Sequence, residues 1–181
     1  MFGRLSACLW LLLLAGCSTQ PQSQPQLRPL APLLDGEPRQ LTQHIVVQYR
    51  GEQRDLIGAS LLAPEQLQVS LLTPQGVSLL DIHYDGREVT AQQHLGRSRQ
   101  IPPRALLADM QLVYWPLEML QRSLPAPWQL RESRAENTRL RQLFLRGTLY
   151  TEVRYSTVDI WRADVQLEQK VLDYGLSIRN L

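Results

Sequence analysis

The residue best placed for covalent chemistry is Cys17, which closes the string Leu14-Ala15-Gly16-Cys17. Arg4 and the 12-residue apolar stretch Leu5 to Gly16 precede it, an arrangement suited to a peptidase that cuts before the cysteine. This is the pattern of a bacterial lipoprotein signal, in which the thiol takes a diacylglycerol through a thioether and Cys17 becomes the new N-terminus. A plain secretory signal would carry a small residue three positions before its cut, where Leu14 stands here. Spanning a hydrocarbon core as a helix takes about 20 apolar residues, so the stretch is too short to cross. Cys8 falls in the segment to be removed. The mature chain then holds one cysteine, already consumed, and no disulfide is expected within it.

Other reactive side chains are few. His44, His83 and His94 are the only histidines, and none has a partner at metal-ligand spacing, so no metal is expected. Ser70, Asp81 and His83 lie close in sequence, but no Gly-x-Ser-x-Gly turn presents a nucleophile. No catalytic residue is assigned. Arg122, Arg131, Arg134, Arg139, Arg141 and Arg146 fall within 25 residues, against Glu132 and Glu136. Guanidinium forks grip phosphate or carboxylate, while a solvated strand face gives the same pattern. Trp115 and Trp128 flank a helical run and suit either a cavity mouth or core anchors.

The elements that carry these residues follow from periodicity. Residues 1–16 read as the signal and 17–40 as the acylated cysteine with a Gln/Pro-rich linker, which at about 3.1 Å per residue could hold a domain some 60 Å from a bilayer. Leu27, Leu30, Leu33 and Leu34 could instead pack on the domain edge. Beyond residue 16 the chain carries 18 arginines and lysines, only Lys170 being a lysine, against 17 acids. That balance gives no general field for nucleic acid. Alternation with turn signals predicts strands at 44–50, 55–63, 66–73, 77–84 and 87–94. Val69 and Leu71 share one face, as do Leu80 and Ile82. Apolar residues at Leu106, Met110, Val113, Leu117, Leu120 and Leu124 then draw one helical stripe, which Pro116 divides into helices at 103–114 and 116–123. Five more strands are predicted at 128–134, 138–146, 148–156, 158–167 and 172–180. The fold expected for residues 41–181 is mainly β, a curved antiparallel sheet or incomplete barrel with a helical lid over an apolar interior.

The order of meander, proline-interrupted helical pair and meander resembles the LolB family of outer-membrane lipoprotein receptors. The segments that carry the likeness are Leu67-Gln68-Val69-Ser70-Leu71-Leu72-Thr73-Pro74-Gln75-Gly76, Trp115-Pro116-Leu117-Glu118-Met119-Leu120, and Tyr174-Gly175-Leu176-Ser177-Ile178-Arg179-Asn180. The run Asp109 to Leu117 is similar also to LolB-like lipoproteins often encoded among aryl-polyene and fatty-acid-type biosynthesis genes. The resemblance implies a half-barrel with an acyl-chain cavity, here lined by Val69, Leu71, Leu80, Ile82 and Trp161, with Leu106, Met110, Val113, Leu117 and Leu120 on the lid. It implies a lipid or lipidated cargo and a periplasmic LolA-like carrier as partners. Likeness to enterobacterial lipoproteins implies that Ser18, standing where Asp would retain the protein in the inner membrane, directs it to the outer membrane, facing the periplasm. The turn Pro74-Gln75-Gly76 would approach the bilayer, but the family presents a leucine at its tip where this chain has Gln75. No cofactor is implied beyond the lipid on Cys17.

The expected function is therefore non-enzymatic binding and transfer, or localisation, of acyl chains or a lipidated cargo at the outer membrane. An accessory lipoprotein docking on an envelope complex, and an acyl-ester-processing enzyme, are the alternatives.

Overall fold

A computed structural model describes residues 26–94 and 102–181. Cys17, the signal at 1–16 and the first part of the expected linker lie outside the described residues.

The chain forms ten strands and two helices: β1 (Arg39–Tyr49), β2 (Glu52–Ala63), β3 (Gln66–Leu72), β4 (Ser78–Tyr84), β5 (Val89–Gln93), α1 (Pro103–Tyr114), α2 (Leu117–Ser123), β6 (Trp128–Ala135), β7 (Thr138–Leu145), β8 (Thr148–Tyr155), β9 (Val165–Gln169) and β10 (Tyr174–Asn180). They make one antiparallel sheet in the order β5-β4-β3-β2-β1-β10-β9-β8-β7-β6. β1 and β10 pair at the centre, and β5 and β6 are left as unjoined edges, so the barrel is open. Each edge is attended by a helix: α1 runs beside β5 and α2 beside β6. The helical pair thus sits across the opening, while β5 itself stays largely exposed.

One face of the sheet is apolar because alternation is kept in register from strand to strand. Val69 opposes Ile82, and Leu71 opposes Leu80. Farther round, Val47, Leu176, Leu167 and Val153 form one row through successive pairs. The row ends on two charges, Arg141 and Glu132, on the same inward face.

Pro116 divides the helices as its chemistry requires. It lacks an amide hydrogen and pushes the preceding residue out of the helical region, and Trp115 accordingly caps α1 with extended dihedrals. α2 starts at Leu117, one residue later than expected, with Pro116 as its cap.

Three expectations are corrected. The strand expected at 158–167 begins only at Val165, because Asp159 organises a turn: its carboxylate accepts the Trp161 amide at 3.0 Å and its carbonyl accepts those of Arg162 and Ala163. β1 begins at Arg39, five residues early. The linker expected to run to residue 40 does not do so from Gln26 onward, where the chain is bound to the domain. Arg28 and Ala31 are buried, and Leu30, Leu33 and Leu34 pack against the core. The Gln111 side chain grips both backbone groups of Ala31 at 2.8 Å, and Trp115 Nε1 donates to the Pro32 carbonyl at 2.7 Å.

Among the described residues, no helix is long and apolar enough to cross a membrane.

Candidate functional site

α1 lies between the N-terminal segment on one side and the concave sheet on the other. Polar side chains hold it at several heights. Arg141, 1% exposed, donates from Nη1 to the carbonyls of Leu112 at 2.7 Å and Trp115 at 2.9 Å. A helix leaves its last carbonyls unpaired and negative, so a buried guanidinium there satisfies both hydrogen bonding and charge. Tyr155 donates to the Val113 carbonyl at 2.8 Å. One turn earlier, Tyr174 donates to the carboxylate of Asp109, and Arg28 donates to the Ala108 carbonyl. Gln43 of β1 reaches the Tyr114 hydroxyl at 2.5 Å.

Burial pushes the Asp109 carboxyl up to about 6, against the opposing effects of the Tyr174 hydrogen bond and the Arg28 charge. Burial likewise lowers Arg28 to about 10. Burial also disfavours the Glu132 anion, but hydrogen bonds from Arg141 and Arg134 outweigh it and hold its pKa below the ordinary carboxylate value.

Between α1 and strands β1, β2, β3, β9 and β10 runs an apolar crevice of about 70 Å³. Val69, Leu71, Leu106, Met110 and Val113, five of the ten residues expected to line an acyl cavity, line it. Ile45, Val47, Leu56, Leu167, Leu176 and Ile178 extend the apolar walls, Gly58 forms part of the floor, and Gln43, Ser60, Asp109 and Tyr114 are the polar lining. A Cβ at position 58 would stand 2.7 Å from Ile45 Cδ1, so the missing side chain is part of what keeps the crevice open.

The other five expected residues lie elsewhere. Leu80, Ile82 and Leu120 are in the packed core. Leu117 and Trp161 line a separate pocket of about 390 Å³ near the α1–α2 junction. Trp161 is carried there by the Asp159 turn; its ring stacks on Tyr114 at 5.1 Å with the Arg39 guanidinium 4.4 Å away.

The expected turn has its tight geometry. Gly76, at φ 85°, donates to the Thr73 carbonyl at 2.9 Å. Pro74, Gln75 and Gly76 are exposed, and the next residue, Val77, is a large apolar side chain 49% exposed.

On the convex face, Ser70 donates to Asp81 Oδ1 at 2.5 Å, and it is His94, not His83, that meets Asp81, at 2.5 Å. The aspartate thus stands between serine and histidine. A hydrolytic triad needs histidine in the middle to take the nucleophile's proton. These hydrogen bonds, Ser70 first, lower the Asp81 pKa. Among the described residues, no three histidine, cysteine, aspartate or glutamate side chains group as metal ligands.

Several site residues escaped the sequence reading. Arg28, Gln43, Asp109 and Gln111 are buried polar groups whose partners are 65 to 137 residues away, and the part that Arg141 of the arginine cluster plays at the end of α1 was equally hidden. Ile45 and Val47 sit in an unbroken apolar run, Ile45-Val46-Val47, where alternation cannot tell which side faces in.

Fold and site together define an open antiparallel half-barrel that carries a pinned helix and a partly open apolar crevice. Residues 40–181 match the family DUF3261, described as a protein of unknown function, and the chain belongs to that family. No curated protein sequence matches it.

Proposed function

We propose that this protein is an outer-membrane lipoprotein, anchored through Cys17 and LolB-like in its working. Its half-barrel binds acyl chains or a lipidated cargo without chemical turnover, and it passes them to or from the bilayer or holds them there. The observation that carries this reading is the crevice beside α1. Its walls are mainly aliphatic, with Gln43, Ser60, Asp109 and Tyr114 as the polar lining, and several of the aliphatic residues (Ile45, Val47, Leu71, Leu106 and Met110) remain half-exposed where a closed core would bury them. Each methylene transferred there from water contributes about 0.8 kcal/mol.

At about 70 Å³ the resting crevice holds roughly two water-sized groups of about 30 Å³ each. The polar contacts from Arg141, Tyr174 and Gln43 hold α1 in place, so a chain enters by displacing Met110 and Leu106 rather than by lifting the helix. A periplasmic LolA-like carrier is the proposed donor or acceptor. The turn at Pro74, Gln75 and Gly76 approaches the bilayer.

The test is titration with a fluorescent fatty acid. Wild type binds, Met110→Trp weakens binding tenfold or more, and Leu130→Met, in the packed core on β6, which contributes nothing to the crevice, leaves it unchanged. No binding by the wild type, or equal binding by Met110→Trp, sinks the carrier reading and favours a docking module.

A further inference from the structure

The pocket near the α1–α2 junction has a different chemistry. At about 390 Å³ it falls in the roughly 300–1,000 Å³ range of small-ligand sites. One wall is apolar, from Leu34, Leu117, Ile160 and the edge of Trp161; Arg139, Arg141 and Glu132 lie deep in the pocket, and the exposed Arg134 stands at its rim.

Three guanidiniums there share one buried carboxylate. Glu132 Oε1 is held by Arg134 at 2.9 Å and Oε2 by Arg141 at 2.7 Å. Arg139 is left over: its Nη1 is 3.7 Å from Glu132 Oε2, beyond hydrogen-bond distance, and its buried Nε has no partner among the described residues. The side chain is only 13% exposed, so water compensates little of this. Asp35, Glu37 and Glu118 also line the pocket but are exposed, and none comes within ion-pair distance of Arg139. A buried cation without full partners, beside an apolar wall, calls for an anion with an apolar body.

We propose that this pocket binds a carboxylate or phosphate carried on a flat or aliphatic group, with Arg139 taking the anion and the Leu117–Ile160–Trp161 wall taking the body. The site is independent of the acyl crevice, sharing only Tyr114 with it. It also lies at the strand ends opposite those where Tyr150 of β8 binds the Gln26 carbonyl.

The test uses the full chain in phosphatidylcholine nanodiscs and calorimetric titration with 2-naphthoate, 2-naphthyl phosphate and uncharged 2-naphthylmethanol. Either anion binds at least tenfold more tightly than the alcohol, and Arg139→Gln removes that preference. Leu117→Trp, which fills the pocket from the half-exposed side of α2 and leaves the arginines in place, lowers affinity for both anions at least tenfold. It also serves if Arg139→Gln fails to fold, as read by near-ultraviolet circular dichroism. Equal binding of anion and alcohol, or wild-type affinity in a folded Arg139→Gln or Leu117→Trp, overturns the proposal. Replacing part of the nanodisc lipid with phosphatidylglycerol separates the sources: competition with naphthoate assigns the anion to a lipid headgroup, and its absence to a dissolved ligand.

Discussion

Arg141 shows how one side chain can fix the relation of helix to sheet. It occupies an inward position on β7 where alternation calls for an apolar residue, and its hydrogen bonds end on the last turn of α1. Arg141→Ala leaves Glu132 buried with one guanidinium fewer and the helix carbonyls uncapped, so a loss of about 3–5 kcal/mol is expected in urea denaturation. Asp109 gives a pH signature. Its folded pKa of about 6 lies above the unfolded value near 3.9, so the folded state binds more protons between these values. Its contribution to stability is complete below about pH 4 and is lost as pH rises through 6, by at most about 3 kcal/mol. Measured from pH 4 to 7, the stability of wild type relative to Asp109→Asn should fall; a flat difference refutes the assignment. Asp109 was not legible as a site in the sequence, and Arg141 was legible only as one of a cluster of arginines, not as the residue that holds α1. A single charge in an alternating or helical run carries no local mark of burial, and the partners that make it tolerable are remote.

Elements were more legible where local chemistry decides them. β3, β4, β8 and β10 lie within a residue or two of their expected bounds, fixed by the turn signals between them even where alternation lapses, as at Leu71-Leu72, Leu79-Leu80 and Tyr150–Val153, and Pro116 divides the helices at the expected place. β9 is shorter than alternation predicts, because the alternation through Trp161 and Ala163 continues across a turn that Asp159 makes with its own side chain. The segment from Gln26 to Leu34 has no period at all. It is held mainly at its carbonyls, by Tyr150, Tyr84, Gln111 and Trp115, and backbone acceptors leave no trace in residue type. A chain starting at Gln40, which spans the family match, should therefore lose roughly 4 kcal/mol or more through exposure of Ala31 and its leucine neighbours and through unpaired polar groups on α1. Thermal denaturation against the longer chain measures it. Gly58→Ala should behave differently. The added methyl meets the mobile end of Ile45, so stability stays within about 1 kcal/mol of wild type while fatty-acid affinity falls severalfold.

At the scale of the whole molecule the two ends differ. Antiparallel order puts the turns at 50–51, 73–77, 146–147 and 170–173 at one end, with the exposed Val77 and Val171. The arginine pocket is at the other. Gln75→Leu should strengthen vesicle association of an unlipidated chain starting at Ser18 by about 10- to 100-fold, since burying a leucine contributes about 1.5–3 kcal/mol; flotation with phospholipid vesicles reads it. The bound N-terminal segment also sets a length. From Gln26, held at the Val77 end, only nine residues run back to Cys17, a contour of at most about 30 Å, against the roughly 60 Å of a linker free to residue 40. If Cys17 is anchored in the periplasm-facing leaflet of the outer membrane, as proposed, the domain samples a layer about half as deep. The crevice then meets the bilayer surface at about twice the effective concentration, without any added affinity for lipid.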